Sequence, residues 1–312
     1  MPRSINPIDQ PLCLTIPERS APSSWTGHVP FAMWITSVLR PRLFVELGTF
    51  RGMSYCAFCQ SIDRLGLPTR AVAIDTWRGD PHNGLNGPEV LAELRLHHDH
   101  RYGSFSTLLE MTFDQAAARF QDEEVDLLHI DGYHTYEAVR HDYETWRSKM
   151  SDRGVILFHD VVERIRDFGV WKFWEEIRTQ YPSFEFHHEH GLGVLAVGRE
   201  LPAEIRELVG EGGDGPQRIR TFFQHIGRQL ELLEQVRELT GRCSTMEVDL
   251  ALLGREVEAA RSEGFTLARR CEALERDLLR AEQERVALER SFSWRLARRI
   301  AGLGDALKSC RR

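Results

Sequence analysis

Four acidic residues, Glu46, Asp75, Asp131 and Asp160, each stand at the end of a short apolar run. The runs are Leu43-Phe44-Val45, Ala71-Val72-Ala73-Ile74, Leu127-Leu128-His129-Ile130 and Val155-Ile156-Leu157-Phe158, the last followed by His159-Asp160. Runs this short, bounded by turn signals and separated by helix-like stretches, have the pattern of buried parallel strands. Ligands of open parallel sheets bind outside the carboxyl ends of the strands, so the four carboxylates mark one concave site. Asp131 and Asp160 close adjacent central strands and should converge. Converging carboxylates repel unless a cation or a proton lies between them. A hard divalent ion such as Mg²⁺ suits oxygen ligands and keeps positions open for substrate. The metal set is therefore Asp131 and Asp160, with His159 as an added ligand. His134 lies three residues beyond Asp131 at a helix entrance. An imidazole there is suited to take a proton from a hydroxyl, which makes His134 and Asp131 the catalytic candidates.

The first strand runs into Glu46-Leu47-Gly48-Thr49-Phe50-Arg51-Gly52. Gly48 and Gly52 allow a tight turn and close approach of backbone to a ligand. Phe50 stands where the dinucleotide fingerprint needs its second glycine, so no pyrophosphate cradle is indicated. Glu46 suits an ammonium group instead, and Asp75 sits where an acid accepts bonds from a ribose diol. Trp77 either covers an adenosine or packs. Thr112 reads as a helix N-cap that could also touch adenine.

Together these features resemble motifs I and II of class I S-adenosylmethionine-dependent methyltransferases. With His129-Ile-Asp131-Gly-Tyr-His134 and His159-Asp160 added, residues 25–198 resemble the metal-dependent sugar O-methyltransferases of macrolide biosynthesis and the cephalosporin-hydroxylase-like group. The resemblance implies S-adenosylmethionine on Glu46, Gly48, Thr49, Gly52, Asp75, Trp77 and Thr112, a divalent metal on Asp131 and Asp160, and His134 as base. His159 departs from the family's Asp-Asp pair, and imidazole tolerates Mn²⁺, Fe²⁺ or Zn²⁺ better than Mg²⁺.

The elements that must position these residues alternate. Strands are expected at 42–47, 70–75, 105–110, 125–130 and 154–159, with helices at 27–40, 52–65, 87–101, 113–120, 135–149 and 169–180. A hairpin at 184–188 and 193–197 closes the sheet. The fold class is thus α/β: a doubly wound, seven-stranded, mostly parallel Rossmann-like sheet with one antiparallel edge strand. Residues 1–24 read as a loosely held arm, 25–198 as the methyltransferase domain and 199–216 as a linker. A 3-4 apolar spacing from Phe222 to Phe292 predicts a coiled coil over 217–292, hence a homo-oligomer. Residues 293–312 form a basic amphipathic tail able to lie on an anionic membrane surface or dock to a partner.

The 312 residues carry a net charge of −7, which gives no nucleic-acid footprint. No apolar run approaches the ~20 residues that span a bilayer, and 1–24 lacks the apolar core of a signal peptide. Six cysteines make no disulfide framework, and the lone Cys56-x-x-Cys59 reads as packing. A cytoplasmic location is expected, with the tail placing the protein peripheral to the inner face of the membrane. The expected function is S-adenosylmethionine-dependent, metal-assisted O-methyl transfer to a sugar hydroxyl in glycan or polysaccharide biosynthesis. The alternatives are a non-catalytic scaffold that recruits a glycan-assembly complex and an iron-dependent hydroxylase. Asp167-Phe168-Gly169 matches a kinase tripeptide, but nothing else of a kinase accompanies it.

Overall fold

The computed structural model describes residues 5–82, 84–210 and 215–309. The chain divides into two compact units, Met1–Arg237 and Glu238–Arg312.

The first unit is built on the apolar runs. Strands β1 (Leu43–Leu47) and β2 (Arg70–Asp75) are followed by a small ladder of β3 (Gly79–Asp80) and β4 (Gly84–Leu85). Strands β5 (Ser106–Glu110), β6 (Val125–Ile130) and β7 (Met150–His159) complete a parallel array in the order β5-β2-β1-β6-β7. The central strands β1 and β6 are buried at every residue, as apolar runs without alternation require. The last two strands are β8 (Ser183–Phe186) and β9 (Leu192–Ala196), and β9 inserts antiparallel between β7 and β8. The reversed strand is therefore one in from the edge, which corrects the expected antiparallel edge strand. The tight β8–β9 connection folds β9 back beside β7, leaving the shorter β8 outermost.

Helices cover both faces. On one side, α1 (Val29–Leu39), α2 (Met53–Arg64) and α3 (Glu89–Tyr102) bury Trp34, Phe58 and Leu94 in the same cluster as Phe44. On the other, α4 (Phe113–Ala117), α5 (Tyr136–Trp146) and α6 (Val170–Ile177) pack Trp146, Tyr143 and Phe173 with Val45 and Ile156. Each such side chain contributes about 1.5–3 kcal/mol by leaving water. At the end of the sheet away from the four acids, buried Asp126 accepts from the Arg42 guanidinium at 2.8 and 2.9 Å and from Ser151 at 2.5 Å. This clamp ties β1, β6 and β7 in register. Cys56 and Cys59 lie buried in α2, and burial pushes the Cys56 thiol up to about 12, so both act as packing groups.

Three expectations about the flanks are corrected. The arm is held: Cys13 and Pro17 are buried, and Arg19 bonds the Arg51 carbonyl and Glu93. The expected linker contains α7 (Ala203–Leu208), and Leu201, Ile205, Leu208 and Val209 join the core. Residues 211–214, the glycine-rich centre of that linker, lie outside the described residues. The helix expected as a free coiled coil, α8 (Gly215–Arg290), begins as part of the core. Its first turns bury Ile219, Phe223, Gly227 and Leu230, with Phe223 edge-on to Phe31 and Trp34. That face is not the predicted seam through Phe222, His225 and Gln229, because packing against α1 selects a different stripe.

The second unit is helical. It holds the remainder of α8, whose leucines from Leu239 to Leu288 are exposed, and α9 (Phe292–Ser309). Among the described residues no helix is long and apolar enough to cross a membrane.

Candidate functional site

The carboxyl ends of β1, β2, β6 and β7 open into a crevice of about 660 Å³. Its size is that of a small-molecule or cofactor pocket. It is lined by Gly48, Thr49 and Gly52 from the first loop and by Asp75 from the second. Thr112, Asp131, His134, His159 and Asp160 also line it, so nine of the eleven expected site positions line one cavity.

The first loop is folded around its neighbours. Gly48 has φ +85°, and a Cβ there would lie 1.9 Å from the Asp131 carbonyl oxygen. Only glycine lets the loops after β1 and β6 meet at that distance. Asp131 N–H also donates to the Leu47 carbonyl at 2.8 Å. Asp75 organises the turn from the side: its Oδ2 accepts from Thr49 and Phe50 N–H at 2.9 Å each, and its Oδ1 from Trp77 N–H at 2.7 Å. Phe50 and Trp77 sit at φ +47° and +51°, a left-handed conformation that bulky residues rarely adopt. The Asp75 bonds are what hold them there.

Trp77 does not line the crevice. It is 4% exposed, packs in the core cluster with Val90 and Leu94, and donates Nε1–H to the Phe50 carbonyl at 2.8 Å. The adenosine-covering role considered for it is thereby corrected to packing. Thr112 is a helix N-cap with a full capping box to Gln115, and its position also borders the cavity.

Glu46 is also absent from the lining. It is wholly buried, and its Oε2 accepts from His129 Nδ1 at 2.9 Å. His129 Nε2 in turn accepts from Trp25 Nε1–H at 3.2 Å, which fixes the imidazole tautomer. Burial raises the Glu46 pKa against the opposing pull of His129. The other carboxylate oxygen, Oε1, is buried without a hydrogen bond.

The acids of the other half do converge. Asp131, His134 and Asp160 place one ligand atom each within 4.8 Å of one another. His134 Nε2 is 3.1 Å from Asp160 Oδ2 and 3.7 Å from Asp131 Oδ1. His159, expected as the third ligand, directs Nδ1 at both carboxylates, 3.1 Å from Asp160 Oδ2 and 3.5 Å from Asp131 Oδ1. Its Nε2 is buried and unpaired. The structure thus groups His134 with the two acids, and His159 Nδ1 lies as close to both carboxylates.

Charge inside this knot balances. Burial opposes the charge on His134, but the bonds and charges of Asp131 and Asp160 outweigh it and push the imidazole up to about 10. Burial is likewise overcome at His159, whose pKa rises well above the ordinary range beside Asp160 and Asp131. For Asp131 burial is overridden by His159 and His134, which hold the carboxyl well below its usual range. Two imidazolium protons therefore do the work that one divalent cation would do between two carboxylates. In this arrangement His134 holds its proton, so it is not a free base.

Sequence reasoning missed His82, Asp167 and Phe168. His82 Nδ1 is 3.3 Å from His134 Nδ1, and its Nε2 is 2.7 Å from Asp167 Oδ1. Phe168 stacks on the His134 ring at 4.6 Å and 2°. Neither the loop around Pro81-His82 nor the dismissed Asp167-Phe168-Gly169 tripeptide carries a local signal, since only the tertiary fold brings them to His134.

Residues 45–161 match the family model described as a methyltransferase domain. Over 186 residues the chain is 46% identical to the uncharacterized protein y4gI of Sinorhizobium fredii (strain NBRC 101917 / NGR234). That match takes in 60% of this chain and 20% of the relative, so the chain spans about a fifth of the relative's length. The fold is similar to SAH-bound Podospora anserina methyltransferase PaMTH1, with TM-score 0.42, 14% identity and coverage of 54% of this chain and 77% of that one. A methyltransferase from Geobacter sulfurreducens gives TM-score 0.41, 15% identity and coverage of 55% and 78%. The carboxyl ends of β1, β2, β6 and β7, which frame the crevice, lie within the residues that match the methyltransferase-domain model.

Proposed function

We propose that the protein is an S-adenosylmethionine-dependent O-methyltransferase acting on a sugar hydroxyl, assisted by a divalent cation. The observation that carries this reading is the convergence of Asp131, His134 and Asp160 in the same crevice that Gly48 and Asp75 open. Asp75 would face the ribose diol of the cofactor, and Glu46, buried beneath the crevice, would favour its ammonium group by charge rather than by contact. The crevice then aligns methyl donor and acceptor, from which much of the rate would come.

The cation would be held by Asp131, Asp160 and His134, a donor set of two carboxylates and one imidazole. That set suits Mg²⁺ or Mn²⁺, and it departs from the two-histidine, one-carboxylate arrangement of non-haem iron oxygenases. When bound, such an ion lowers the pKa of a coordinated hydroxyl. The two imidazolium protons would then no longer be needed for charge balance, and His134 Nε2, without its proton, would serve the ion as a ligand rather than the hydroxyl as a base. The acceptor end is rimmed by Asp80, His82, Glu163, Arg166 and His190. So many hydrogen-bonding groups suit a polyhydroxylated acceptor better than a flat aromatic one.

The test is methyl transfer from labelled S-adenosylmethionine to a panel of nucleotide sugars and glycans, before and after metal removal with EDTA. The expected result is a product heavier by one methylene, lost with EDTA, restored by Mg²⁺ or Mn²⁺ and abolished in Asp131→Ala. Undiminished transfer by Asp131→Ala in EDTA would overturn the metal part. Transfer confined to non-sugar acceptors would overturn the sugar part.

A further inference from the structure

In the second unit, α8 continues from Glu238 to Arg290 as unbroken helix, about 80 Å long at 1.5 Å per residue. Leu239, Met246, Leu253, Leu267, Leu274 and Leu288 are exposed and fall on one heptad position, d. Cys243, Leu250, Val257, Gly264, Cys271, Leu278 and Arg285 fall on the other, a. Single helices are rarely stable in water with an apolar stripe of this length uncovered, since most helical stability comes from packing that stripe.

The flanking charges say what covers it. In a parallel pair in register, each g residue faces the e residue five positions on in the other strand. Arg242 then meets Glu247 of the second copy, Glu256 meets Arg261, and Arg270 meets Glu275, three pairs of opposite sign. Asp277 with Glu282 and Glu284 with Glu289 are of like sign, and Arg285 enters the seam beside them. An antiparallel pair would instead set e against e and g against g. The e edge carries Glu247, Glu275, Glu282 and Glu289 against one Arg261, so that alternative faces acid with acid. Leu at d with β-branched Val257 at a also fits the pattern of two-stranded parallel coils.

We propose that residues 238–290 pair with the same residues of a second copy in a parallel, in-register, two-stranded coiled coil. Residues at a then face their own counterparts. Cys243 and Cys271, both exposed in the single chain and four heptads apart, each lie opposite an identical cysteine. This pairing is independent of the methyl-transfer reading.

The experiment uses the full chain with Cys310→Ser, so that Cys243 and Cys271 are the accessible thiols. Light scattering gives the mass, and diamide, which takes two electrons and two protons from each thiol pair, reports proximity. The expected result is a dimer mass and a covalent dimer that reductant reverses. Cys243→Ser and Cys271→Ser alone should each still cross-link, while the double variant should stay dimeric without cross-linking. A monomer at micromolar concentration, a trimer, or a dimer that neither cysteine links would each overturn the proposal.

Discussion

His129 Nδ1 donates to Glu46 Oε2 across 2.9 Å, between two side chains that solvent does not reach. Removing the imidazole leaves a buried carboxylate without its donor, which costs about 1–3 kcal/mol. His129→Leu should therefore lower denaturant stability by that amount and weaken S-adenosylhomocysteine binding at least tenfold in calorimetry. His129→Asn, which can still donate, should recover part of both. Unchanged affinity in the leucine variant would show that Glu46 takes no part in cofactor binding.

Proton and metal should compete in the crevice. His134, with its pKa pushed up to about 10, is charged at neutral pH, and a bound cation must displace its proton. Mn²⁺ affinity should thus rise between pH 6 and 8, by about tenfold per pH unit for each proton displaced. Calorimetry in buffers of different ionisation heat should detect the released protons, and His134→Gln should release about one fewer. Affinity independent of pH would rule out this exchange.

Asp142 offers a separate pH dependence. Burial raises its carboxyl to about 7, with His141 opposing and Asp114 reinforcing the shift. Because the folded pKa exceeds that of the unfolded chain, the folded state binds the extra proton at low pH. Stability is therefore lost as pH rises from about 4 toward 7. Asp142→Asn removes the titration and should be more stable than the parent by about 2–4 kcal/mol at pH 8. The gain should shrink toward zero at pH 4. Equal denaturation midpoints at pH 8 would mean that the carboxylate is solvated.

Gly48 and Gly66 separate backbone strain from collision. Both have positive φ, but a Cβ at Gly66 meets nothing within 4 Å, whereas one at Gly48 meets the Asp131 carbonyl. Gly66→Ala should cost about 1–2 kcal/mol. Gly48→Ala should cost more than that and also abolish cofactor binding, since the loops after β1 and β6 must part. Similar losses in the two variants would mean that the close approach is unimportant.

Much of the fold was legible because apolar runs report burial directly. The five parallel strands, the acids at their ends and the cysteines of α2 follow from residue type and spacing along one segment. Glycine at position 48 likewise announced a tight turn, and a helix N-cap could be read at Thr112. The place of β9 one in from the edge, the anchored arm and the buried α7 were not legible, because each depends on contacts with segments far away in the chain. Phe223 illustrates the limit: the helical period is plain, but which stripe faces inward is chosen by Phe31 and Trp34.

For the site, the amino-acid sequence by itself determined which groups were available and at which strand ends they would stand. Only the tertiary structure decided which of them meet. Two histidines, at 134 and 159, were both candidates beside Asp131 and Asp160. The fold placed His134 as the third member of the cluster with His159 beside both carboxylates, and it brought His82 and Phe168 against His134 from distant segments. Charge state is the sharpest case. An imidazole's proton depends on the carboxylates within a few ångströms of it, and that neighbourhood is a property of the folded chain rather than of any segment.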